Sequence, residues 1–127
     1  MDNLLYKRMF PNFSPKEFEC PCHHPFCQTD GMEFWFLSAL QEFRRQCGFA
    51  FTINSGYRCS AYNAAIVNSS PRSKHIEGIA CDVSTRKFSG RKKHIFLSYA
   101  FQRFSGIGIY ETFIHLDLRD HKERVVW

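Results

Sequence analysis

At 127 residues the chain is long enough for one domain with one core and too short for two ordinary ones, so a single domain over 1–127 is expected. Hydrophobic residues at 44% and charged residues at 23% exclude a disordered chain, and no apolar run approaches the roughly 20 residues of a membrane span. A formal charge of +5 and a pI near 9.0 predict attraction to polyanions: nucleic acid, a membrane surface or the anionic polymers of a bacterial wall.

Nucleic acid ranks last among these. The charge comes without an RNP-type aromatic motif, zinc-finger spacing or helix-turn-helix signature, and Arg91-Lys92-Lys93 reads as a solvated helix face. The first residues, Met1 to Arg8, carry an early acid and no apolar stretch of signal-peptide length, so synthesis and retention in a cytoplasm are expected. There most of the six cysteines stay thiols, although an even count equally suits disulfides in a released protein.

In chain order, Ser14-Pro15-Lys16-Glu17 has the form of a capping box with proline at the first helical position, and Pro21 and Pro25 prevent the short helix from extending. The segment Cys20 to Cys27 is therefore a loop. Asp30-Gly31-Met32-Glu33 repeats the capping pattern, and Trp35, Phe36, Ala39, Leu40 and Phe43 recur at helical spacing until Gly48. Phe49 to Asn54, β-branched and aromatic, suits a buried strand, and Ala61 to Val67 a short helix. His75 falls on a loop that enters a strand at Ile79 to Val83, which carries Asp82.

Ser89 to Phe104 has the apolar stripe of a second amphipathic helix, closed by Ser105-Gly106. Strands at Ile107 to Tyr110 and Phe113 to Leu118 follow. In the second, His115 and Asp117 share one face while Ile114, Leu116 and Leu118 share the other. Helices packed on one side of a small, mainly antiparallel sheet give an α+β fold, and 14 phenylalanines predict a largely aromatic core.

His75, Asp82 and His115 carry the chemistry. Two imidazoles and a carboxylate are a three-ligand zinc set that leaves a fourth position for water. A turn at Gly78 lets the strand after His75 send Asp82 back to the same ion. Singly, a strand histidine is more often a structural hydrogen-bonding group and a strand-end aspartate more often caps a turn. Cys20, Cys22 and Cys27, with His23 and His24 between them, pose a separate question. A second, structural zinc site, free thiols and a disulfide all remain open there, and the C-x-C spacing is tighter than the usual C-x-x-C knuckle.

In combination the motifs are specific. Phe13-Ser14-Pro15-x-Glu17-Phe18-x-Cys20-x-Cys22, Ser55-Gly56-Tyr57-Arg58-Cys59 with Tyr62-Asn63, Ser73-x-His75-x-x-Gly78-x-Ala80-x-Asp82, Gly106 to Tyr110 and Phe113 to Arg119 resemble the zinc D-alanyl-D-alanine carboxypeptidase family. That family includes phage endolysins, its fold is similar to the Hedgehog signalling domain, and the likeness is to its short single-domain members. The resemblance implies that His75, Asp82 and His115 hold Zn²⁺ and that Arg58 approaches the scissile carbonyl or a substrate carboxylate. Tyr57 and Ser73 become candidates for substrate contact or for orienting a ligand.

The catalytic base is less directly indicated. Many relatives place an acid three residues before the last ligand, where this chain has Thr112. Of the two neighbouring acids, Asp117, which shares a sheet face with His115 and alternatively only orients it, is preferred as the base over Glu111, which stands where those relatives often have proline.

The resemblance thus implies a zinc metallopeptidase that cuts peptidoglycan stem peptides as a carboxypeptidase or endopeptidase; the basic charge suits adhesion to anionic wall polymers, the absence of a signal-peptide pattern suits a phage or prophage enzyme, and a monomer is expected. The rival is a catalytically silent zinc module that binds the wall or a partner, kept open by the missing acid at position 112.

Overall fold

The computed structural model describes residues 2–22, 24–66, 69–120 and 123–127. Two long helices form where the apolar spacing predicts them. Helix α2 spans Phe34–Cys47 and ends on Gly48 in the left-handed region, at φ 76°. Helix α4 spans Gly90–Arg103, with the Ser89 hydroxyl accepting from the Lys92 amide. Helix α2 begins later than the capping pattern at Asp30 implies, because the Glu33 amide donates to Gly78 O at 2.9 Å. That bond holds residues 31–33 as a strap against the turn below His75.

The capping box at Ser14 heads a single 3-10 turn, Pro15–Phe18, in which the Ser14 amide donates to the Glu17 carboxylate at 2.6 Å. Helix α1, Asn3–Met9, is an element that the apolar pattern did not reveal: Asp2 caps it by accepting from the Leu5 amide at 2.8 Å, and Tyr6 is its buried residue. Helix α3 is Ser60–Ala65, one residue earlier at its start than expected and ended by Ile66 in an extended conformation; Val67, the last residue of the expected helix, lies outside the described residues.

Among the described residues five strands make one sheet in the order β1-β2-β4-β3-β5: β1 is Ile53–Ser55, β2 Ala80–Ser84, β3 Gly106–Ile109, β4 Phe113–Asp117 and β5 Val125–Val126. All neighbours are antiparallel except β3 and β5, which run parallel. Only the end of the expected Phe49 to Asn54 strand joins the ladder. Phe49 and Phe51 instead pack on the edge of the core, which accounts for the aromatic character of that segment.

One sheet face is apolar. Cys81 and Val83 of β2, Ile107 of β3 and Ile114 and Leu116 of β4 pack against Phe36, Leu37, Leu40 and Phe43 of α2 and Phe96 and Ala100 of α4. The fold is thus α+β with its two long helices on one side of the sheet. The aromatic core is built largely from edge-to-face pairs: Phe43 meets Phe96 at 4.9 Å and 80° and Phe104 at 5.1 Å and 90°. Each such pair adds about 0.5–1.5 kcal/mol beyond the area it buries. The alternation that aims Ile114 and Leu116 at the helices turns His115 and Asp117 the other way, so the core fixes the direction of the site.

Candidate metal centre and cleft

Strand register builds most of the centre. Asp82 of β2 lies opposite His115 of β4, and Ala80 opposite Asp117, so both functional residues of β4 share a face with Asp82. Across the other edge of β4, His115 and Asp117 oppose Gly108 and Gly106. A Cβ on Gly106 would lie 2.1 Å from Asp117 Oδ1, so the absent side chain is the space the carboxylate occupies. His75 arrives from the loop below, where Gly78 turns at φ 73° and passes so close to Gly31 O that a Cβ would lie 1.9 Å from it.

The donors converge. Asp82 Oδ1 lies 3.2 Å from His75 Nε2 and 3.0 Å from His115 Nδ1, and one ligand atom from each of the three residues falls within 4.8 Å of the others. All three residues are buried. The outer bonds of the rings decide what faces Asp82. His75 Nδ1 is 2.7 Å from Gly56 O, a carbonyl that only accepts, so Nδ1 carries the proton. His115 Nε2 donates in the same way to Asp117 Oδ2 at 2.7 Å.

Neutral rings bound like this turn two bare lone pairs toward a carboxylate. That arrangement is repulsive unless a cation sits among them or both rings are protonated. The donor set therefore fits a divalent metal such as zinc, with His75 Nε2, His115 Nδ1 and Asp82 Oδ1 as its ligands.

The Asp82 carboxyl is ionised, as a metal ligand must be: burial pushes it up, but its contacts with the His115 and His75 rings outweigh that and hold the group well below the usual carboxylate range. Burial likewise opposes ionisation of Asp117, and its bonds to Arg119 and His115 reverse the balance in favour of the charged form. Desolvation lowers the His115 pKa, yet the bonds to Asp117 and Asp82 leave it raised.

An open cleft of about 700 Å³ exposes this floor to solvent. Arg58 lines it, with Nη2 donating to Asp82 Oδ2 at 3.2 Å and Nε to Ser55 Oγ at 3.1 Å. Ser73 lines it too, and its hydroxyl accepts from the His75 amide at 3.3 Å. The other three candidates lie elsewhere. The Tyr57 ring packs over Gly31, outside the residues lining the cleft. Glu111 is exposed between β3 and β4. Asp117 is fully buried beneath the floor, with Oδ1 accepting from Arg119 Nε and Oδ2 from Arg119 Nη2 and the His115 ring.

Sequence reasoning missed the far wall. Trp127 follows β5, its ring centroid 5.3 Å from that of His115, and its indole N–H donates to Tyr110 Oη at 2.7 Å. The Arg119 guanidinium covers the Trp127 ring at 5.0 Å, and Tyr110 stacks on Phe113 at 4.4 Å. The signal available in the sequence was Val125-Val126-Trp127, a β-branched pair ending in an aromatic, which is too short to read as a strand.

An α+β fold whose sheet aims two imidazoles and a carboxylate at one point, on the floor of an open cleft, is the architecture of a metal-dependent hydrolase. The chain belongs to the peptidase M15 family, whose sequence model matches residues 11–117. That span takes in His75, Asp82 and His115, and membership makes the protein a metallopeptidase by family. Comparison with curated proteins gives no match.

Proposed function

We propose that the protein hydrolyses peptide bonds in the stem peptides of bacterial peptidoglycan, with zinc held by His75, Asp82 and His115. The observation that carries this reading is the pair of imidazole lone pairs turned onto one carboxylate oxygen at the base of a cleft. Zinc held there would supply Lewis acidity and make water a nucleophile at neutral pH.

The side chains divide the remaining work. Asp117 fixes the tautomer and angle of His115 and is a positioning residue, since both of its oxygens are already engaged. Ser73 holds the backbone of His75. Arg58, pinned by Asp82 and Ser55, presents its guanidinium to the scissile carbonyl or to a substrate carboxylate. Tyr57 supports the Arg58 turn through its packing on Gly31. Glu111, in the turn beside Tyr110 and near Phe113, which line the cleft, is the candidate left for proton transfer once Asp117 is a positioning residue, and it does not itself line the cleft.

Arg58, Arg72, Lys74 and Arg119 line the same cleft, where Asp82 is the one acidic lining residue among the described residues; Arg119 is paired with Asp117 beneath the floor and Lys74 with Glu77 outside the lining. This excess of cations suits a substrate rich in carboxylates, as stem peptides are. In this reading the enzyme is a phage- or prophage-encoded monomer that acts at the cell wall, and its charge of +5 aids adhesion to anionic polymers. Among the described residues no helix is long and apolar enough to cross a membrane.

Digestion of purified sacculi followed by mass spectrometry is the test. Release of stem-peptide fragments that stops on chelation and returns with zinc is the expected result, and the fragment masses identify the bond. Cleavage that persists in chelator overturns the zinc mechanism. A second reading, a zinc module that docks on the wall without cutting, is favoured by the sealed position of Asp117 and the exposed one of Glu111. Bound zinc with no fragments released decides for it.

A further inference from the structure

We infer that Cys20, Cys22, Cys27 and Cys59 form a second, structural zinc site, separate from the His75 centre. Their four sulfur atoms all lie within 4.8 Å of one another, and Cys22 Sγ is 3.6 Å from Cys59 Sγ. A tetrahedral ion with Zn–S bonds of about 2.3 Å requires sulfur–sulfur edges of roughly 3.8 Å. Disulfides join sulfurs in pairs and give no reason for four to gather at one point. Four thiolates around a centre are the preferred surroundings of zinc.

The surroundings are those of bound thiolates. The Cys59 amide points at Cys20 Sγ at 3.4 Å and the Tyr62 amide at Cys59 Sγ at 3.4 Å, so backbone dipoles offset negative charge on two of the four sulfurs. His24, a ligand candidate from sequence, is not among the donors that converge, and its Nδ1 accepts from the Phe26 amide at 3.2 Å. His23 lies outside the described residues. The fourth ligand is instead Cys59, brought from a distant part of the chain.

The segment needs such a clamp. Residues 19–33 carry no regular helix or strand among the described residues, and Phe26 is 89% exposed. Among the described residues the loop is closed on itself by the Cys20–Thr29 backbone bond and the short turn bonds from Phe26 and Cys27 to His24. A metal that joins residues 20, 22 and 27 to residue 59 replaces the core this loop lacks. It also reaches the cleft, because Cys59 directly follows Arg58. The thiolate site thus clamps the turn that aims the guanidinium.

The test uses the His75→Ala/His115→Ala chain, purified under reducing conditions, so that the outcome does not depend on the cleft metal. One zinc per chain should remain. Exchange for cobalt should give the intense thiolate-to-metal charge-transfer absorption of a tetrahedral sulfur site, and adding Cys59→Ser should abolish that absorption. The wild-type chain provides a check that needs no variant: two zinc per chain, and Cys22, Cys27 and Cys59 unreactive toward a thiol reagent until metal is stripped. A double variant without metal, iron in place of zinc, or an intact mass lighter by the hydrogens of one or two disulfides would each overturn the assignment.

Discussion

The His75 centre and the cysteine cluster differ in what holds them. Asp82 and His115 sit on paired strands whose opposite face is locked under α2 and α4, and His75 is tied by backbone bonds through its carbonyl to Arg58 and Gly78. The cysteines stand on an irregular loop and at the cap of the short helix α3. The backbones of Asp82 and His115 are preorganised by the sheet and need no ion to hold them opposite each other. The loop-borne donors depend on the ion to fix their own backbone. A ligand set on strands makes metal binding a matter of chemistry, whereas a ligand set on a loop makes it a matter of folding.

This contrast is open to direct attack. The largest expected effect is His115→Ala: hydrolysis should fall on the order of 1,000-fold, the several kcal/mol of Lewis-acid stabilisation converted at about 1.4 kcal/mol per tenfold. The thermal midpoint of the same variant should move little, because the helix-covered face is untouched. A collapse of the fold instead would show that the strand site is not preorganised. Next comes Asp117→Asn, which should weaken metal binding at the His75 centre about 10–100-fold by equilibrium dialysis while leaving the cysteine cluster loaded. Equal loss from both clusters would erase the distinction between them.

Gly106→Ala drives a methyl into the Asp117 carboxylate and should cost about 1–3 kcal/mol in urea unfolding. The smallest effect lies away from both clusters. Tyr6 Oη is buried without a hydrogen-bond partner among the described residues, and burial pushes its pKa up to about 12. Tyr6→Phe should therefore stabilise the chain by about 1 kcal/mol, which sets the scale for a change unrelated to metal.

Much of the strand-borne centre was legible because its information is local. Alternation along Phe113 to Leu118 assigned His115 and Asp117 to one face, and Gly78 marked the turn that returns Asp82 toward His75. The role of Asp117 was not legible. Two acids near His115 look equivalent in sequence, and only the bonds to Arg119 and the space left by Gly106 show that Asp117 is enclosed. Cys59 was visible in the Ser55 to Cys59 motif yet not joined to Cys20, since no periodic pattern links residues so far apart. Helix α1 escaped because about two turns past an aspartate cap show too little repeat, and β5 because two residues carry no alternation.

The position of Trp127 gives the protein an optical gauge of its own. The chain has two tryptophans, and Trp35 stands half-exposed on α2, on the helical layer across the sheet from the cleft. Trp127 alone leans on a ligand ring. A paramagnetic ion entering beside His115 should quench one emitter and spare the other, so that fluorescence reports occupancy of the cleft without any added label.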